Sequence, residues 1–147
     1  MQYLLLPIAA MIIAQAAKFF IKSNKEKLNF KSMMSYSGMP SSHAALVTAL
    51  VAIIGLKAEG GILSPLFAIS LVFAVIVIRD AIGLRNYLGE HGKILNTLVK
   101  DLKEEPDKPL DYSYPKLLEK IGHTPAQVTI GILIGLAVSF LGFWLMK

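Results

Sequence analysis

Four runs of apolar residues punctuate the chain, at 3–21, 42–57, 62–84 and 125–146, and each differs from its neighbours in how it starts and stops. The first is about the length that spans a bilayer, with Pro7 near its start and the polar Gln15 and Lys18 toward its end. The second is short for a full crossing, so it is either tilted against a locally thin bilayer or begins below the headgroups. Pro40 holds the residue before it extended, and Ser41 or Ser42 serves as N-cap, which predicts a helix start there. A turn with Gly60 and Gly61 separates the second run from the third, which carries Arg79, Asp80 and Arg85 at its end. The fourth run opens with Thr124 as N-cap, Pro125 at the first helical position and Gln127 three residues after the cap, a capping box.

The stretches between are polar. Residues 22–39 are basic, and Leu28, Phe30, Met33 and Met34 within them are expected to form a short interfacial segment. Residues 86–122 are read as the one sizeable soluble loop, exposed around Glu104, Glu105, Pro106, Asp107 and Pro109, with Tyr112 and Tyr114 near its end. Four crossings place both loops on one side. That side holds Lys22, Lys25, Lys27, Lys31, Arg85, Lys93, Lys100, Lys103, Lys108, Lys116 and Lys120, against Lys57 and Lys147 on the other. By the positive-inside rule the loop side is cytoplasmic, in a multi-pass protein of the cell membrane. The small residues between Gly131 and Gly142 predict close packing of the fourth helix on a neighbour.

Composition agrees: of 147 residues 54% are hydrophobic and 17% charged, with mean hydropathy +0.58, too apolar for a soluble domain of this size. The expectation is an all-α integral membrane bundle forming a single domain, without repeats, low-complexity segments or a cleaved leader. No cysteine is present, which removes disulfides and thiolate chemistry. The net charge of +5 is modest, and no nucleic-acid partner is called for.

Topology turns scattered polar residues into a group. Lys18 and Lys22 end the first helix, Ser41, Ser42 and His43 begin the second, Arg79, Asp80 and Arg85 end the third, and His123 begins the fourth, all at one membrane face. Ionisable residues at membrane depth are costly and are usually functional or paired. Helix N-termini offer free N–H groups to an anion, and together with these cations and two imidazoles they suit a phosphate. Each residue also has a plainer account. Lys18, Lys22 and Arg85 snorkel to headgroups equally well, the serines cap, and Gln127 is explained by the capping box. Adjacent Arg79 and Asp80 do not share a helix face, so Asp80 is expected to pair with Lys18 or Arg85. His91 sits in a polar stretch with no evident partner. Neither capping nor packing asks for an imidazole at His123.

With Gly38-Met-Pro-Ser-Ser-His43-Ala-Ala-Leu-Val-Thr, Asp80-Ala-Ile-Gly-Leu-Arg85, Leu95-Asn96 and Gly122-His-Thr-Pro125 in that order, the chain resembles the type 2 phosphatidic acid phosphatase superfamily. The likeness is to its divergent small bacterial and plant branch, related to acid phosphatases and vanadium haloperoxidases, and runs nearly end to end. The resemblance implies that His123 attacks phosphorus, that His43 protonates the leaving oxygen, and that Ser41, Ser42 and backbone amides hold the phosphoryl oxygens. It implies no metal and no cofactor. Only Lys18 fits the superfamily's first block. Its last block has an Arg six residues before the nucleophilic His and an Asp four after, where this chain has Leu117 and Gln127. Arg85, Arg79 and the catalytic Asp80 are expected to take over those roles, with Gln127 orienting the imidazole.

The resulting expectation is a membrane phosphatase acting on a lipid or isoprenoid phosphate or diphosphate through a phosphohistidine, its head group entering from the cytoplasm. The rival is a non-catalytic membrane protein whose basic pocket binds anionic lipid headgroups, as a scaffold or transport component, and a third reading is haloperoxidase chemistry with bound vanadate. A homodimer through the first or fourth helix is also expected.

Overall fold

The computed structural model describes residues 1–21, 38–104 and 114–146. The interfacial segment expected around Leu28 to Met34, and the loop residues Glu105 to Tyr112, lie outside the described residues. All regular structure among the described residues is helical. We label the helices α1 (Gln2–Ala17), α2 (Ser42–Lys57), α3 (Pro65–Arg79), α4 (Arg85–Lys103) and α5 (Pro125–Leu145). Three stretches are long and apolar enough to cross a membrane, Gln2–Phe20, Pro65–Lys103 and Pro125–Leu145, with Ser42–Lys57 a shorter apolar helix between them. This is a helical membrane protein.

Each start follows from its local sequence. The Ser41 Oγ accepts from the Ala44 N–H at 3.3 Å, so of the two serines Ser41 is the cap. The Ser64 Oγ does the same for Phe67 at 3.1 Å, with Pro65 at the first position of α3. The turn between α2 and α3 uses Gly60 at φ 81° and Gly61 at φ 54°, a backbone shape that L side chains rarely adopt. A single tighter turn, Lys18–Phe20, finishes α1.

α2 is the hub, packed on α1, α3 and α5, while α1 also packs on α5. Where α1, α2 and α5 meet, the core is Ala10, Ala14, Ala45 and Ala49, backed by Ile134 and Val138. Lipid tails give helices no hydrophobic reason to associate, so close backbone approach and hydrogen bonds hold such a bundle together. A Cβ on Gly131 would collide with the Ser41 carbonyl, and one on Gly135 would sit 2.5 Å from the Ala45 carbonyl and 3.0 Å from the Ala49 nitrogen. One turn further on, the buried Ser139 donates its hydroxyl to the Ala49 carbonyl at 2.9 Å. The small-residue stripe of the fourth span is therefore occupied by α2 of the same chain.

Helix ends are tied together at both ends of the bundle. At one end of the bundle Gln2 donates to the Met146 carbonyl and Lys57 donates to Gln2, joining the start of α1 to the ends of α2 and α5. At the other end the Ser41 N–H donates to the Gln127 carbonyl at 3.0 Å, setting the starts of α2 and α5 side by side.

One expectation changes. The segment 86–122, read as a soluble loop, begins with the helix α4, which continues α3 through a π-helical turn at Asp80–Leu84. Its polar residues had hidden a helical repeat of Tyr87, Leu88, Ile94, Leu95 and Leu98, too short of apolar residues to register as a span.

Because Gly135 is gripped on two sides, Gly135→Val is expected to cost about 1–3 kcal/mol through overpacking. Val at the exposed Ala137 is expected to change stability little. Thermal unfolding of both variants in one detergent checks this, and equal midpoints would contradict the packing described.

Candidate active site

At the end of the bundle where α2 and α5 start, their N-termini meet the end of α1 and the π-turn below α3. Ser41 is fully buried, Ser42 is 7% exposed and Lys18 only 8% exposed. The Ser41 Oγ is used as an acceptor in its cap, which leaves its hydroxyl proton for a ligand. His43, one residue into α2, is exposed rather than buried, because the face of α2 against α5 belongs to Ala45 and Ala49.

His123 reaches the site from the other direction. The Arg85 N–H bonds to the Asp80 carbonyl, five residues back, in place of Ala81, four back. The Ala81 carbonyl instead accepts from the His123 N–H at 3.0 Å. The added residue of the π-turn thus frees a main-chain acceptor for a distant part of the chain. Asn86, just past the turn, donates to the His123 carbonyl at 3.2 Å and to Ile82. Gly122 lies so close to Asn86 that a Cβ would collide with its side chain.

The residues before His123 form an extended strap laid along α4. The Asn96 amide both donates to the Leu117 carbonyl and accepts from the Leu117 N–H, each at 2.9 Å. A Cβ on Gly89 would lie 2.5 Å from the Glu119 carbonyl, and one on Gly92 2.6 Å from that of Leu118. These positions, three and four residues apart, share one face of α4. Asn86, Gly89, Gly92 and Asn96 are thus positioning residues that reading by charge and hydropathy passes over. Their legible trace is the spacing of two glycines and an amide within a helical pattern.

The imidazole so delivered is 2% exposed, and among the described residues neither Nδ1 nor Nε2 has a hydrogen-bond partner. Buried polar atoms left unpaired are rare, cost about 1–3 kcal/mol each, and call for a physical explanation. Burial pushes the His123 ring down to about 4, helped by the charges of Lys18, His43 and Arg85. Those three groups therefore lie within electrostatic reach of it, and Arg85, Lys18 and Asp80 act in turn on His43.

Asp80 pairs with Arg85, whose Nε donates to Oδ2 at 2.7 Å. That pair leaves the two terminal nitrogens of the guanidinium without a partner among the described residues. Arg79 is exposed and stands outside the group acting on either ring. Gln127 uses its side chain on the Thr124 N–H, at 3.0 Å, while its own N–H donates to the Thr124 hydroxyl. Gln127 is thus committed to the capping box, one residue from His123. His91 is exposed on α4 and belongs to neither set. No cluster of metal-binding side chains occurs among the described residues.

A bundle of short apolar helices whose ionisable groups gather at one end defines the class. Residues 1–138 match the Divergent PAP2 family, and the chain belongs to it. It is 40% identical over 146 residues to the uncharacterized membrane protein YuiD of Bacillus subtilis (strain 168), an alignment covering 92% of this chain and 90% of that one. No solved structure matches it.

The ring of His123 is expected to stay neutral until the pH falls to about 4, whereas an unfolded chain protonates its histidines near 6.5. The folded value is depressed, so the stability it represents is present above pH 6.5 and lost as the pH falls through about 4. NMR titration of histidine-labelled protein checks this, and a His123 midpoint near 6.5 would contradict it.

Proposed function

We propose that the chain is an integral membrane phosphatase that removes phosphate from a lipid or isoprenoid phosphate or diphosphate, without a metal, at the cytoplasmic face of the cell membrane. The observation that carries the reading is the buried His123 ring, both nitrogens without a partner among the described residues, beside two cations and a second imidazole. A ring neutral at physiological pH keeps a lone pair for attack. A cluster at the end of a membrane bundle suits substrates already in the bilayer, and the loop-side excess of Lys and Arg supports the orientation.

In the proposed reaction a His123 nitrogen attacks phosphorus, the bond from phosphorus to the leaving oxygen breaks, and its electron pair takes a proton from the His43 imidazolium. Water then attacks the phosphohistidine while His43, now neutral, removes a proton from it, and the nitrogen–phosphorus electron pair returns to His123. Lys18, the free fork of Arg85, Ser41, Ser42 and the first-turn N–H groups of α2 stabilise the charge on the phosphoryl oxygens. Asp80 holds Arg85 in place, and Gln127 positions His123 through the cap beside it.

One observation favours a second reading, the binding of anionic headgroups without turnover. No carboxylate pairs with His123 among the described residues, since Gln127 stands where the wider superfamily carries Asp.

Purified protein is expected to release phosphate from at least one of phosphatidate, phosphatidylglycerophosphate and prenyl diphosphates. His43→Ala is expected to lower the rate by about 10²–10⁴, and His123→Ala to abolish it. Release unchanged in His123→Ala would overturn the mechanism. Phosphate or vanadate binding with no turnover on the panel would decide for the second reading.

A further inference from the structure

α4 and the last residue of the π-turn before it carry a row of large side chains that the described residues leave a third to two-thirds exposed, Leu95 bordering the strap. Leu84, Leu88, His91, Leu95, Leu98 and Leu102 succeed one another at intervals of four, three, four, three and four residues. That is the spacing that lines the seam of a two-stranded coiled coil. Leu84 is 65% exposed, Leu88 57%, Leu95 47% and Leu98 51%, although apolar rows of this size on a soluble surface normally mark a contact.

The direction of α4 limits what can cover the row. The helix runs unbroken from Pro65 to Lys103, 39 residues, or about 58 Å at 1.5 Å per residue. The hydrocarbon layer is about 30 Å thick, so the second half of this helix extends beyond it.

Charge limits it further. A helix resting on anionic lipid borders its apolar face with Lys and Arg. Here the bordering positions hold Gly92 and Val99 on one edge and Tyr87, Ile94 and the acidic Asp101 on the other. The cations on that border stand only at the two ends of the row, Arg85, whose Nε is held by Asp80, and Lys103 about five turns on. Lys93 and Lys100 project from the far side of the helix. The row thus suits an uncharged apolar surface, and a second copy of the chain supplies one. Copies inserted the same way in one membrane present the same row, at the same height and in the same direction, the condition for a two-fold contact.

We propose that α4 is a dimerisation arm, two copies pairing their 84–102 rows in parallel outside the bilayer. His91 meets its counterpart at the middle of the seam, where a polar residue fixes register and favours two strands. The contact uses a helix distinct from α5, whose small-residue face is filled by α2.

The chain has no cysteine, so one introduced thiol is the sole thiol present. Oxidation of native membranes is expected to bring Leu95→Cys and Leu98→Cys to doubled mass, while Lys93→Cys and Thr97→Cys on the far side stay at monomer mass. The double variant Leu95→Asp with Leu98→Asp is expected to halve the mass of the detergent-solubilised protein with its helical circular dichroism retained, and Thr97→Asp to leave both unchanged. Equal cross-linking on the two faces would overturn the proposal, as would a wild-type chain of monomer mass in native-like nanodiscs. So would protection of Leu95→Cys from a water-soluble alkylating reagent in nanodiscs holding one copy each, because the bilayer would then be covering the row.

Discussion

Everything at the functional end rests on how closely the backbones of α2 and α5 approach. Gly131 and Gly135 remove the side chains that would hold the helices apart, and Ser139 adds a hydroxyl to a main-chain carbonyl. Within a bilayer there is no water to satisfy a displaced polar group, so contacts of this kind are hard to exchange for others. The bond from the Ser41 N–H to the Gln127 carbonyl extends the same contact to its last turn. Two helix N-termini are thereby held next to each other.

The second half of the site is built on different principles. His123 lies on neither helix; its main chain is held at both ends, the N–H by Ala81 and the carbonyl by Asn86. The ring is 2% exposed, and among the described residues neither nitrogen has a partner. The strap before it is clamped by Asn96 and lies against Gly89 and Gly92, so α4 is an integral part of how the imidazole is carried.

Hydropathy made the spans legible, and the caps at Ser41 and Thr124 could be read because a cap is decided within three residues. That Lys18, His43, Arg85 and His123 lie within electrostatic reach of one another was legible too, since each stands at the end of an apolar run or beside it. What escaped depends on contacts between distant parts of the chain. The exposure of His43 follows from which face of α2 the small residues claim. Gln127 could be read as a cap or as a partner of the imidazole, and the structure places its side chain on the Thr124 amide. α4 was hidden because half of its surface is polar and its glycines look like loop residues until the strap is seen lying on them.

The π-turn gives the protein a register that hydropathy does not encode. A helix advances about 100° per residue, so losing one residue between positions 80 and 84 would leave an apolar segment as insertable as before. It would swing the edge formed by Asn86, Gly89 and Asn96 through more than a quarter of a circle. The Ala81 carbonyl would return to its own helix, and the chain arriving from the far side would find no ledge to settle on. Descendants carrying such a deletion would be embedded in their membranes as well as any relative, yet empty-handed at the one end where the charges meet.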